Sequence, residues 1–331
     1  MLFSDDTKVW KNFSPYLKDT RIISAELSKI IVDRNVFPED CSAVGKNKVL
    51  LVKKLFSEYY ERRTLGFNSF SKRQTFVISQ EGVTQIHRSE IGYGYSKRYG
   101  FLDTTGTSAG NSTLDMKDIS LRELIEKNEC LLFWYTNRYK TIVKNKQLYQ
   151  IIRKLGMDVP NLEVFLFYMN ELSTAHTVIV FCFYNGILIS TGSSCSKKYN
   201  TSLRAALLEA KMIMTVYYGR NVVPIDRLRD SLYQKDIYGF IQDKYSQGKK
   251  VLFRKIKDTP EIVLAKWIDD VEFVMIDMIR NSRCKGIRCC SKKLINCLPY
   301  REYLRHMPDK AVMKKYDIYS KLESIPECLI Y

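Results

Sequence analysis

Two short stretches carry glutamates in pairs at helical spacing. SEYYERR (57–63) holds Glu58 and Glu61, and RELIEKNE (122–129) holds Glu123 and Glu126. In each, the second glutamate is followed at once by a base, Arg62 or Lys127. Residues three apart lie about 60° apart on a helix, so each pair shares a face. Like charges so placed repel by a few tenths of a kcal/mol when exposed. When buried they cost several kcal/mol per ion unless compensated. Two compensations are open: the adjacent Arg62 and Lys127 fold over the carboxylates, or hard divalent cations such as Mg2+ bind between helices and bring phosphates with them. The plain alternative is a solvated helix face with an ion pair. Two copies in apolar helices, one after a Gly/Ser turn, favour the metal and nucleotide chemistry.

The elements that must position these acids can be read coarsely. Residues 45–63 predict a helix with Val49, Leu50, Val52, Leu55 and Phe56 as its apolar set. DTTGTSAGNS (103–112) predicts a small-residue turn, followed by a helix capped at Asn111, Ser112 or Thr113 and running to Trp134 or Tyr135. A start near 111 would place Asn111, Asp115, Glu123 and Glu126 on one face. Residues 20–35 fit strand or helix. RQTFVISQEGVTQIHR (73–88) reads as a strand or strand pair, and VFLFYM (164–169) as a buried strand. HTVIVFCFYNGILIST (176–191) reads as a hairpin turning at Asn185-Gly186. SLRAALLEAKMIMTVYYG (202–219) reads as a helix carrying Glu209 and stopped by Gly219. VEFVMIDMI (271–279) reads as a strand, with a turn at Lys285-Gly286 before its partner. The mixture predicts an α/β or α+β fold, with no evident linker.

Bulk properties narrow the classes. The chain has 331 residues, is 45% hydrophobic and carries a formal charge of +17. That length supports a sizeable core, and the charge attracts polyanions or reflects a lysine-rich genome. No zinc-finger or RNP-type signature is present, so nucleic acid is not the expected partner. No apolar run reaches the ~18 residues of a membrane span. The N-terminus lacks the pattern of a signal peptide. With nine cysteines in no regular framework, the expectation is a cytoplasmic protein with free thiols and no membrane partner. Cys284, Cys289, Cys290 and Cys297 cluster without a repeat or a nearby histidine, which favours incidental thiols over a zinc site. His87, His176 and His306 are far apart in sequence, and nothing local points to a catalytic pair.

Three segments together resemble the ATP motifs of the YcaO superfamily, in that family's order and spacing. GKNKVLLVKKLFSEYYERR (45–63) resembles the first, TSAGNSTLDMKDISLRELIEKNECLLFW (107–134) the second, and STGSSCSKKYNTSLRAALLEA (190–210) the third, a glycine turn before a helix ending in A-L-x-E. The resemblance covers residues 45–220, is weaker beyond, and is strongest to short azole-forming cyclodehydratase subunits of microcin and peptide-toxin pathways. It implies a single YcaO-like domain over 1–331, of mixed α/β (α+β) architecture, with ATP held between helices and strands. It implies Glu58, Glu61, Glu123 and Glu126 as Mg2+ ligands. Ser108, Asn111 and Asp115 would line the nucleotide, with Glu209 close by. Arg62 and Lys127 would neutralise phosphate or hold the carboxylates.

The implied activity is ATP-dependent activation of a backbone amide in a ribosomally made precursor peptide. Cyclodehydration of Cys, Ser or Thr to azolines is favoured over thioamidation. The implied partners are that peptide, a leader-binding partner protein and, further along the pathway, a flavin dehydrogenase. The chain departs from the motifs at Lys54, where the family has Ser, at Lys127, where it has Arg, and at Ala205, where it has Arg, with Arg204 adjacent. It also ends in ESIPECLIY rather than a proline-rich tail. These departures leave open a catalytically weak subunit that scaffolds a modification complex.

Overall fold

The computed structural model describes residues 8–11, 21–26, 30–32, 35–37, 40–44, 47–220, 231–252, 256–276, 284–307 and 309–330. Strands β1 (Lys8–Lys11), β2 (Arg21–Glu26) and β5 (Asp40–Val44) form a small antiparallel sheet, and β3 (Ile30–Val32) pairs with β4 (Asn35–Phe37). The ambiguous stretch 20–35 therefore contains strand. Helix α1 (Lys48–Ser69) starts at Asn47, whose side chain accepts from the amides of Val49 and Leu50, as an N-cap should. Its buried row differs from the expected one. Leu51 and Leu55 pack with Cys41 and Ala43, while Val49 and Leu50 are 64% and 56% exposed and Val52 is also exposed. Apolar residues ring this helix, so periodicity could not choose a face; packing against β5 selects Leu51 and Leu55, one turn apart.

The first large sheet has the order β10-β17-β16-β6-β7. Of the two readings of residues 73–88, a strand or a strand pair, the pair forms, as β6 (Gln74–Ser79) and β7 (Gly82–His87), and β8 (Gly94–Ser96) and β9 (Gly100–Leu102) form a short ladder beyond them. Where a turn was expected, residues Thr107–Gly110 form strand β10, paired with β17 (Lys285–Cys290). Small residues have little strand preference of their own, and here long-range pairing overrides it. The turn lies just before, at Gly106, with φ +74° and a Cβ position 2.3 Å from the Cys289 carbonyl. Lys285 and Gly286 likewise belong to strand β17 rather than to a turn. They oppose β10, and β17 continues against β16 (Glu272–Met275). Residues 277–279 of the expected strand lie outside the described residues.

Helix α2 (Thr113–Tyr135) is capped by the Ser112 hydroxyl and is almost entirely buried from Leu124 onward. It packs on the second sheet, of order β14-β13-β12-β11-β15, built from β11 (Lys140–Val143), β12 (Leu162–Met169), β13 (His176–Tyr184), β14 (Ile187–Ser196) and β15 (Lys249–Leu252). Asn185 and Gly186 both have positive φ, which forms the expected tight hairpin turn. Alternation along β12 divides the core in two. Phe165 and Phe167 meet α2 residues such as Phe133, with Ile237 and Ile241 of α5 (Ser231–Gln247). Val164, Leu166 and Tyr168 meet Leu203, Ala206 and Leu207 of α4 (Tyr199–Arg220) and Leu148 and Ile152 of α3 (Lys146–Lys154). Helix α4 continues through Gly219 to Arg220.

Short helices α6 (Arg301–Arg305) and α7 (Ala311–Lys315) precede a buried tail, in which Cys328, Leu329 and Ile330 pack into the α2 core. The Trp134 indole donates to the Pro326 carbonyl at 2.7 Å and fastens that tail to α2. No described helix is long and apolar enough to cross a membrane. All nine cysteines are free thiols.

Candidate functional site: an arc of carboxylates

Three helices and three strands bring the predicted acids together. Gly192 decides the geometry at one end. Contrary to the glycine turn expected there, it lies within β14, where a Cβ would sit 2.3 Å from the Ala206 carbonyl and 2.6 Å from the Ala210 amide. Glycine on the strand and alanines on the helix let α4 lie almost directly on β14. That approach sets Glu209 beside the next strand residue, whose amide donates to it (Ser193 N to Glu209 Oε2, 2.7 Å). The Ser193 hydroxyl donates to Glu126 Oε1 at 2.6 Å, and the Cys195 amide donates to Glu126 Oε2 at 3.0 Å. Lys127 places Nζ 2.8 Å from Glu126 Oε1 and 3.2 Å from the Ser193 hydroxyl. Strand β14 thus links α2 to α4 through one serine.

At the other end, Glu61 accepts from the Ala109 amide of β10 at 2.8 Å. Glu58 accepts from the Ser42 amide at 3.1 Å and from Arg62 Nη2 at 2.6 Å. Glu123 stands between the ends. It makes no side-chain hydrogen bond among the described residues, and its electrostatic neighbours are Lys127, Glu61, Glu126 and Asp103. Asp103 is itself held by the amides of Thr105 and Leu298, at 2.6 and 2.7 Å.

The charges are strongly perturbed. Burial, then repulsion from Glu58, outweighs the Ala109 hydrogen bond and pushes Glu61 up to about 8. Burial, with Glu61 and Glu126 nearby, holds Glu123 well above the ordinary range. Burial and the charges of Glu126 and Glu58 raise Glu209 to about 7, against the pull of Lys127 and Ser193. Burial by itself would lower the Lys127 ammonium; Glu126, Glu209 and Glu123 outweigh it and hold it well above its ordinary value. Among the described residues, one buried lysine, Lys127, and one arginine, Arg62, lie with these five glutamates. Among the described residues, no three Asp, Glu, His or Cys side chains form a ready metal cage. That holds for the arc and for the cluster of Cys284, Cys289, Cys290 and Cys297.

The sequence-predicted residues divide accordingly. Glu58, Glu61, Glu123, Glu126, Glu209, Arg62 and Lys127 share this arc. Ser108 is buried in β10 between Thr107 and Ala109, opposite Ile287, at the strand that receives Glu61. Asn111 and Asp115 are exposed at the start of α2, and neither side chain bonds to the glutamates. Asn111 precedes the helix, so its angular position on α2 was misplaced. Lys54 and Arg204 are exposed and Ala205 is half-buried. Sequence reasoning missed Ser193 and the amides of Ala109, Cys195 and Ser42. The available signal was the small-residue run TGSSCS just before the helix of Glu209, because such a run lets a helix approach a strand.

No family model matches the chain, and no curated protein matches it. Solved structures do. YcaO from Methanopyrus kandleri, solved with AMPPCP and Mg2+, aligns at TM-score 0.66 and 12% identity over 91% of this chain and 89% of that one. A chain of the E. coli microcin synthetase McbBCD complex aligns at 0.60 and 14%, over 88% and 90%. A heterocyclase solved with substrate and cofactor aligns at 0.62 and 13%, over 93% of this chain and 54% of that longer one. The protein has the YcaO fold, an α+β architecture also found in a microcin synthetase complex and a heterocyclase.

Proposed function

We propose that this chain is a YcaO-type enzyme, a single domain that activates a backbone amide of a ribosomally made peptide in the cytoplasm, using ATP and Mg2+. The observation that carries the reading is the arc itself. Glu61, Glu123 and Glu209 are desolvated, each has other carboxylates of the arc as neighbours, and Arg62 and Lys127 only partly oppose the resulting upward shifts. A divalent ion supplies the remaining balance with hard oxygen ligands. Glu58, Glu61, Glu123 and Glu126 would hold Mg2+. Ser108, Asn111, Asp115, Arg62, Lys127 and Glu209 would border the nucleotide. When bound, Mg-ATP would supply the phosphoryl group that the amide-derived oxygen accepts after the nucleophile has added to the amide carbon, so that this oxygen leaves as phosphate and ADP remains. The chain's own part is positioning and charge neutralisation in a site that excludes water.

Cyclodehydration of Cys, Ser or Thr to azolines is the favoured chemistry, with thioamidation as its rival. The chain would act as one subunit beside a leader-binding partner, and a flavin dehydrogenase would oxidise the azolines. Precursor peptide incubated with this chain, its partner and Mg-ATP should lose one water per ring formed. Absence of Mg-ATP binding by calorimetry in the reconstituted complex would sink the enzyme reading. Lys127 favours a second reading, a scaffold subunit, because its ammonium already occupies the position of a cation beside Glu126. That reading predicts peptide turnover by the complex that survives Glu123→Gln.

A further inference from the structure

Helices α3 and α4 leave an open cavity of about 410 Å3 between them. It is lined by Gln147, Gln150, Ile151 and Lys154 of α3 and by Asn200, Thr201 and Arg204 of α4. The α3 residues recur at helical spacing along one face, as do Asn200 and Arg204 on α4. Packed helices ordinarily close such a gap with apolar side chains. Among the described residues, Ile151 is the one apolar residue in the lining, and no acid lines it. Lys154 and Arg204 have no ion pair or side-chain hydrogen bond among the described residues, whereas the neighbouring Arg153 faces Asp158. Arg204 lies about 140° round α4 from Glu209. The arginine next to Ala205 therefore serves this cleft and not the carboxylate arc.

We propose that the cleft binds an acidic side chain on an extended peptide segment, and this rests on the peptide-modifying reading above. The Arg204 fork and the Lys154 ammonium fit a carboxylate. The amides of Gln150 and Asn200 can both donate to and accept from a peptide backbone. A nucleic acid would want stacking aromatics and more phosphate contacts than two cations give. A nucleotide would want an apolar slot for its base, and Ile151 alone does not make one.

The test is fluorescence anisotropy on the full chain with a labelled aspartate-rich peptide and its asparagine analogue. The acidic peptide should bind, its analogue should not, and Lys154→Gln with Arg204→Gln should weaken binding by about tenfold or more. Lys72→Gln with Arg73→Gln, which removes two exposed bases elsewhere, should leave binding unchanged. Equal binding by the α3/α4 double variant would overturn the site. Displacement of the peptide by inorganic phosphate at equal concentration would reassign it to small oxyanions. Because binding is read without ATP, failure here is distinct from failure of the amide-activating reading, which Mg-ATP calorimetry tests.

Discussion

Ser193 and Glu126 meet at 2.6 Å, hydroxyl to carboxylate, across the gap between the second sheet and helix α2. Because the Ser193 amide also donates to Glu209, this residue holds two acids from two helices in fixed relation. Ser193→Ala removes the hydroxyl and keeps the amide. It should lower Mg-dependent ATP turnover by about tenfold and cost about 1–2 kcal/mol of stability. Turnover against Mg2+ concentration, with a thermal melt alongside, reads both. Unchanged turnover would remove Ser193 from the site's machinery.

Lys127 is the buried cation that Glu126 and Glu209 share. Lys127→Met should destabilise the fold by about 3–5 kcal/mol, because it leaves uncompensated buried charge. Adding Glu126→Gln should restore part of that loss. Denaturant melts of the parent, the single and the double variants form the test, and additive losses would contradict the shared-charge account.

The raised acids make stability depend on pH in an unusual direction. Unfolded, Glu61 gives up its proton near the ordinary 4.5; folded, it keeps the proton to about 8. Between those values the folded state binds more protons, so stability falls as pH rises and levels off above the folded value. Glu123 and Glu209 act with the same sign. Glu61→Gln should therefore gain on the parent as pH rises from about 5 to about 8. Melting temperatures at both ends of that window decide it: a constant difference would mean that Glu61 titrates normally.

Metal binding should show the mirror image. A carboxylate must lose its proton to ligate a cation. Affinity for Mg2+ with a non-hydrolysable nucleotide should therefore climb as pH rises toward about 8, where Glu61 ionises. Removing the metal with a chelator should abolish the stabilisation by nucleotide. Calorimetry in buffers of different ionisation enthalpy would count the released protons, and a count of zero would exclude Glu61 as a ligand.

Gly192→Val places a branched side chain where even a Cβ falls 2.3 Å from the Ala206 carbonyl. Helix α4 must shift away, at a cost of about 1–3 kcal/mol or more. Glu209 moves with it, so nucleotide affinity should fall together with stability. Wild-type affinity in a destabilised variant would show that the α4 contact matters only to the fold.

Local patterns made much of this legible. The Asn185-Gly186 turn follows from neighbours within a few residues, and local signals narrowed the α2 cap to Asn111, Ser112 or Thr113, its end to Trp134 or Tyr135, and 73–88 to a strand or strand pair, among which the structure chose Ser112, Tyr135 and the pair. Helix α1 was legible as a helix but not in its orientation, because apolar residues surround it and only β5 chooses among them. Strand β10 read as a turn, since its pairing partner β17 lies roughly 180 residues away in sequence.

The sequence by itself determined which residues could do chemistry. Spacing of three along a helix makes Glu58 and Glu61, and Glu123 and Glu126, neighbours before any fold exists. Tertiary structure alone decided what those neighbours face. Glu61 meets the amide of Ala109, Glu126 meets Ser193, and Glu209 joins them because Gly192 lets α4 lie against β14. Periodicity acts over a single turn of helix. Burial, and the shifted ionisation that follows from it, arises only when distant segments exclude water from the same place.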